Sequence, residues 1–381
     1  MLDPAILVDF LKKNNVTFYS GVPDSLLKDF CAYVDDVFPP DNHIIAANEG
    51  ASIGLAIGYH LSSGKIPLVY LQNSGLGNTV NPLLSLASPE VYSIPILLLI
   101  GWRGEPGVKD EPQHIHQGRV TPELLKTMDI PYIIIDSLMS QEEILSSILS
   151  QLNICNKNKK PVCILVRKGT FQSYKKKLNE SHHNDYSLER EEAIEIATNQ
   201  CEKNSIIVCT TGMLSRELFE YRANNNLGHG KDFLCVGGMG HASQIATGIS
   251  VDQKDRQVYC FDGDGASLMH MGSMAISGTK NLQNLIHIVF NNGCHESVGG
   301  QPTVAQKISL SKVASSLGYG FSQTVKDEKT FIDAINKAKR FPSTSFIEVL
   351  VRPGHRADIG RPTTTPIQNK IALMKTLDQD L

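Results

Sequence analysis

The sequence predicts an α/β protein of two doubly wound domains, each built on a parallel sheet. Short apolar runs alternate with helix-periodic segments at similar intervals along both halves of the chain. The runs stop at turns rich in Gly, Asp, Asn and Ser, as strands do where they hand over to helices. A polar stretch, Lys175-Lys176-Lys177 to Asp185, interrupts the pattern midway. The expected domains are therefore residues 1–172 and 190–381 with a linker at 173–189, and 381 residues suffice for two cores.

In the first half, Pro4 to Asn14 is helix-periodic through Ile6, Leu7, Phe10 and Leu11, and Thr17-Phe18-Tyr19 reads as a strand. In Gly21-Val22-Pro23-Asp24-Ser25, either Asp24 or Ser25 can cap the helix continuing to Phe30. That turn is a plain βα connection or a wall of a site, since ligands bind at the carboxyl ends of parallel strands. His43 to Ala47 is a strand, and it enters Asn48-Glu49-Gly50 ahead of an apolar helix, Ile53 to Tyr59. Glu49 there is either an acid favoured by the helix dipole or a functional carboxyl. Strands follow at Pro67 to Gln72 and Ile96 to Ile100. The turn after the first, Asn73-Ser74-Gly75-Leu76-Gly77-Asn78, lacks the third glycine and the acidic partner of a dinucleotide site. Glu105 to Thr121 reads as a polar loop, carrying Lys109, His114, His116 and Arg119, that closes over substrate. Its His-x-His has no third metal ligand nearby. Strands at Tyr132 to Ile135 and Val162 to Val166 flank a helix from Gln141 to Gln151.

The second half restarts with a helix, Arg190 to Cys201, the strand Ser205 to Cys209 and a helix from Ser215 to Tyr221. Leu234 to Gly240 is a strand-to-turn passage in which Met239 is either filler or functional. Val258 to Phe261 is a buried strand ending in Gly263-Asp264-Gly265-Ala266, too small-sided to pack and suited to bring NH groups close to a ligand. A crossover through Ser267 to Asn281 leads to a second strand, Leu285 to Phe290, which stops at Asn291-Asn292-Gly293. An Asp and an Asn presented at two strand ends suit Mg²⁺, which takes oxygen ligands and few carboxylates. Helices Leu310 to Leu317 and Lys329 to Ala338, the strand Ser345 to Leu350 and a tail through Arg356 and Arg361 complete the chain.

Gly-Asp-Gly, a crossover of this length and Asn-Asn together resemble the thiamine-diphosphate enzyme superfamily. The resemblance implies a pyrimidine-binding first domain, a diphosphate-binding second domain and no middle domain. It makes Glu49 the carboxylate that activates the cofactor through its pyrimidine nitrogen. Asp264, the Asn292 side chain and the Cys294 backbone carbonyl become the Mg²⁺ ligands, with Gly263 in the same turn and the NH groups of Gly265 and Ala266 meeting the diphosphate. Met239 matches the wedge under the cofactor, and Gly237 offers its carbonyl to the pyrimidine. Within the superfamily, G-V-P-D-S-L-L-K-D-F, D-E-P-Q-H-x-H-Q-G-R, E-S-V-G-G-Q and G-x-R-x-D-I-G-R-P resemble the phosphonopyruvate decarboxylase family, near the sulfopyruvate decarboxylases.

That resemblance implies decarboxylation of an anionic 3-substituted pyruvate. His114 or His116 would relay the proton, and Asp24, Ser25, Lys109, Arg119, Arg356 and Arg361 would stand near the substrate. Two domains fused in one chain lean toward the phosphonate, archaeal sulfopyruvate enzymes being split. Val298, where pyruvate decarboxylases carry Glu, spares the substrate a repulsion, although Glu296 stands nearby. The family also implies a homodimer or higher oligomer with sites between subunits; joining the product to a second carbonyl would use the same cofactor residues.

A formal net charge of −3 without a Lys/Arg stripe argues against a nucleic-acid surface. No basic-then-apolar leader and no membrane-length apolar run is read in the sequence, and eight scattered Cys residues fit reduced thiols in a cytoplasmic protein.

Overall fold

A computed structural model describes residues 1–176 and 186–378; residues 177–185 of the expected linker, and 379–381, lie outside the described residues. The chain divides into two compact units, Met1–Asn179 with Val298–Gln301, and Glu180–Ser297 with Pro302–Leu381.

The first unit runs α1 (Pro4–Lys13), β1 (Tyr19–Gly21), α2 (Lys28–Val37), β2 (His43–Ile45), α3 (Glu49–Ser63), β3 (Leu68–Gln72), α4 (Leu76–Pro82), β4 (Leu97–Gly101), α5 (Pro112–Thr127), β5 (Tyr132–Ile135), α6 (Gln141–Asn158) and β6 (Val162–Val166). Its six strands lie in the order β2-β1-β3-β4-β6-β5, and every pairing is parallel. Strands β3, β4 and β6 are apolar on both faces because helices cover both. Chain order reverses at β1 and β3, so the turns after Gly21 and Gln72 open into the crevice where such sheets bind ligands.

The second unit runs α7 (Arg190–Gln200), β7 (Ile206–Cys209), α8 (Met213–Asn224), β8 (Asp232–Leu234), α9 (Ala242–Asp252), β9 (Val258–Gly263), α10 (Asp264–Met269), α11 (Met271–Thr279) and β10 (Leu285–Asn291). The two-residue strands β11 (Cys294–His295) and β12 (Gln301–Pro302) precede α12 (Leu310–Ser316), β13 (Phe321–Val325), α13 (Glu328–Ala338), β14 (Ser345–Leu350) and α14 (Pro366–Asp378). The main sheet, β13-β14-β10-β9-β7-β8, is again all parallel, with β9 and β10 at its centre. The fold class is the one the sequence predicts.

Three segments depart from expectation. The polar loop Glu105 to Thr121 is helical from Pro112 onward, despite Gly118 and Pro122. Pro122 has no NH to give the Gly118 carbonyl, and Trp102 Nε1 donates to that oxygen instead at 2.8 Å. A side chain at Gly118 would collide with the Gly104 carbonyl, so only glycine lets α5 lie this close to the loop after β4. Strand β13 was unread because its residues alternate weakly and sit at the sheet edge. The tail ends in α14, which covers the opposite edge: Asn369 donates to the Asp232 carbonyl at 2.7 Å and accepts from Leu234 NH at 3.1 Å. An edge strand so covered offers no free ladder to other chains. Replacing Asn369 by Ala strands both backbone groups and is expected to cost about 2–4 kcal/mol. Denaturant unfolding measures it, and an unchanged midpoint would show that α14 does not hold this edge.

Candidate functional site

Each unit presents one polar cluster at the carboxyl ends of its strands. In the first, Asn48 caps α3 by accepting from Ala51 NH at 2.8 Å, which fixes Glu49 as the first helical residue. Glu49 is buried, and Asn78 Nδ2 donates to its Oε2 at 2.7 Å. Burial raises its proton affinity, with the Asn78 bond opposing. A Cβ at Gly75 would fall 2.1 Å from Glu49 Oε1, so that glycine supplies the room the carboxyl occupies.

Across the same strand ends, Asp24 is fully buried, accepting from Gln72 Nε2 at 2.7 Å and from Leu26 NH at 3.2 Å; burial pushes its proton affinity up. Ser25 Oγ accepts from Arg103 Nη1 at 2.8 Å, and Arg103 grips Asp110 through Nε and Nη2. Asp110 also bonds His114 Nδ1 at 2.9 Å. Asn73 ties its amide to both the NH and the carbonyl of Arg103, joining this cluster to the turn that carries Gly75. Arg103, Gln72 and Asn78 were missed in the sequence; the one signal was that Gln72 ends β3 and Arg103 follows β4 by two residues, while Asn78 lies within α4.

In the second unit Asp264 opens α10 and is buried, with Thr303 Oγ1 donating to Oδ2. Burial raises its pKa to about 6, and no cationic side chain among the described residues pairs with it. A buried carboxylate in that state suits a divalent ion. Asn292 is held at both ends of its amide: Oδ1 accepts from Cys294 NH at 3.1 Å and Nδ2 donates to Glu296 at 3.2 Å. The preceding Asn291 is structural, its Nδ2 donating to Glu348 at 2.8 Å on β14. A Cβ on Gly265 would lie 2.9 Å from the His295 ring and 3.3 Å from Met239 Cε, so bare backbone faces a cradle lined by these two. Positive φ at Gly238 and Gly240 bends the chain around Met239, with Gly237 just before. The residues present therefore fit a metal-anchored phosphate compound.

The other predicted residues separate. His114 is buried on α5, whereas His116, two positions on and so on another face of the helix, is exposed and bonded to Arg119 at 2.8 Å. Lys109 and Arg361 are exposed. Arg356 is engaged by Glu191, Glu220 and Asp358, which hold the tail to α7 and α8. Glu296 pairs with Arg190 and with His355 at 3.3 Å, and Arg190 also forks onto buried Glu217 at 2.6 and 2.8 Å.

Gly75 has φ −86° and ψ −6°, a conformation open to alanine. Gly75→Ala therefore tests the Glu49 position without backbone strain. Turnover should fall about 100-fold, the usual cost of displacing a catalytic group by about 1 Å, while the melting temperature stays near wild type. Full activity would show that the placement of Glu49 is irrelevant.

Comparison with known proteins matches residues 4–125 to the family described as thiamine pyrophosphate enzyme, N-terminal TPP binding domain. Residues 210–349 match the C-terminal TPP binding domain of the same enzymes. The phosphonopyruvate decarboxylase of Streptomyces viridochromogenes is 31% identical over 383 residues, covering 97% of this chain and 93% of its own. That of Streptomyces hygroscopicus is 31% identical over 376 residues, 92% of this chain and 88% of its own. The sulfopyruvate decarboxylase of Methanosarcina acetivorans is 26% identical over 371 residues, 92% and 91% respectively. This last alignment corrects one expectation, because an archaeal sulfopyruvate enzyme also spans both halves and fusion does not separate the two substrates. The chain belongs to the phosphonopyruvate decarboxylase family of thiamine-diphosphate-dependent enzymes and is a decarboxylase of that cofactor class.

Proposed function

We propose that this chain converts 3-phosphonopyruvate to phosphonoacetaldehyde and CO₂ with thiamine diphosphate held through Mg²⁺, as a cytoplasmic homo-oligomer. Among the described residues no helix is long and apolar enough to cross a membrane. The observation that supports the substrate is the 31% identity to phosphonopyruvate decarboxylases over both halves, against 26% for the sulfopyruvate enzyme of similar coverage, although separate sulfopyruvate decarboxylase subunits match single halves at 29% to 40%. Sulfopyruvate is the alternative substrate.

Bound thiamine diphosphate supplies the electron sink that lets the 2-oxo acid release CO₂. Asp264, Asn292 and the Cys294 carbonyl would hold the metal, and Gly265 and Ala266 would turn their NH groups to the diphosphate. Gly237 and Met239 would border the ring end. Glu49 would hold a proton at Oε1, since Oε2 is fixed by Asn78 and the buried carboxyl keeps its proton well. Asp24, Ser25 and His114 would face the reacting end of the substrate, where His114 or His116 handles the proton.

Purified protein with Mg²⁺ and thiamine diphosphate should release CO₂ fastest from phosphonopyruvate when sulfopyruvate and pyruvate are run in parallel. Preference for sulfopyruvate would move the substrate and keep the chemistry; no CO₂ from any of the three would overturn the reading. An added aldehyde acceptor shows whether carboligation competes. Asp264→Ala should abolish Mg²⁺-dependent retention of thiamine diphosphate in equilibrium dialysis, and unchanged retention would refute the metal assignment.

A further inference from the structure

Asp110 lies in the segment between β4 and α5, and a dense set of donors converges on its carboxylate. It accepts from Arg103 Nε at 2.8 Å and Nη2, from the NH groups of Gly104 at 2.8 Å and Glu111 at 2.7 Å, and from His114 Nδ1 at 2.9 Å. Burial alone would favour its protonated form, but the bonds from Arg103, His114 and Gly104 outweigh burial and hold the carboxyl well below the usual carboxylate range. An ionised carboxylate can only accept, so the hydrogen between the two residues belongs to His114 Nδ1. The neutral ring then carries its lone pair on Nε2, which makes no hydrogen bond among the described residues.

The charged and titratable groups facing His114 are Asp110, Arg103 and Asp24. Burial lowers the proton affinity of the ring, Arg103 adds to that, and the two carboxyl groups work against it. Arg103 and Asp110 cancel in charge, and buried Asp24 is pushed toward its neutral form. Arg103 also donates to Ser25 Oγ, which leaves the Ser25 hydrogen available to a ligand. Through Asn73 the whole cluster is fastened to the turn whose Gly75 makes room for Glu49.

Resting on the proposed decarboxylation, we infer that Asp110 is a positioning residue. It selects the Nδ1–H tautomer of His114, aims Nε2 as the proton-handling atom, and through Arg103 sets the Ser25 hydroxyl as a donor. Of the two histidines in the motif, His114 is the one so equipped; His116 is exposed and, among the described residues, bonded to Arg119. The chemistry resembles that of any imidazole oriented by a buried carboxylate, where removing the charge while keeping the shape costs rate through the wrong tautomer.

The test has a spectroscopic and a kinetic arm. In ¹⁵N-histidine-labelled wild-type protein, the resonances lost in His114→Ala should report a protonated Nδ1 and a bare Nε2 near neutral pH. A protonated Nε2 with bare Nδ1 would overturn the inference, and this reading needs no altered cluster and no substrate. Kinetically, Asp110→Asn offers an amide donor where the carboxylate accepted, so kcat for phosphonopyruvate should fall about 100-fold or more. Thiamine diphosphate retention should not change. The double variant Asp110→Asn with His114→Ala should lose clearly less than the product of the two single losses, because the part of the Asp110 effect that runs through His114 is already gone. Multiplying losses, or an undiminished kcat in Asp110→Asn, would sink the idea. If the wild-type enzyme released no CO₂, the substrate reading would fail while the tautomer measurement still judged Asp110.

Discussion

Two carboxyl groups at strand ends, Glu49 in one unit and Asp264 in the other, are buried with no cationic side chain among the described residues against them. Removing a carboxylate from water without a counter-charge costs several kcal/mol unless it takes up a proton or meets a cation. The fold keeps both groups in that condition, and much of the local structure follows from it. Asn48 starts α3 where Glu49 must sit, Asn78 satisfies one oxygen, and Gly75 vacates the space of the other. Thr303 does for Asp264 what Asn78 does for Glu49.

These arrangements differ in what completes them. Glu49 can be completed by a proton alone, and its neighbours are the Asn78 amide and Gly75. Asp264 suits a full positive charge, and the neighbouring oxygen of Asn292 is already oriented by Cys294 NH and by the grip of Glu296 on the amide nitrogen. The parallel sheets make both possible, since every strand delivers its following turn to the same edge.

The central signature was legible because its chemistry allows few residues: small turns where backbone must approach, an acid and an amide after buried strands. Strand positions were legible from apolar runs such as Leu285 to Phe290, which is buried throughout. Helix α5 was not, because Gly118 and Pro122 are punctuation in any local reading; their tolerance comes from Gly104 and Trp102, which no spacing rule connects to them. Helix α14 stayed hidden because Ile367, Ile371 and Met374 face outward while polar Asn369 is buried against β8. The pairing of Arg103 with Asp110, the first residue of the D-E-P-Q-H-x-H-Q-G-R motif, escaped for a related reason: it closes a loop and follows neither helix nor strand period.

The charges around Asn292 bear on which anion the site accepts. Glu296 stands on the loop that carries Asn292, where a bare carboxylate would repel an anionic ligand. It is not bare: Arg190 and His355 both pair with it, and its proton affinity is lowered despite burial. Arg190 in turn is shared with Glu217, whose own burial works to protonate it, so the trio of Arg190, Glu217 and Glu296 stays close to charge balance without repelling an incoming anion strongly. Arg356 is likewise engaged by three carboxylates, which fix the tail to α7 and α8.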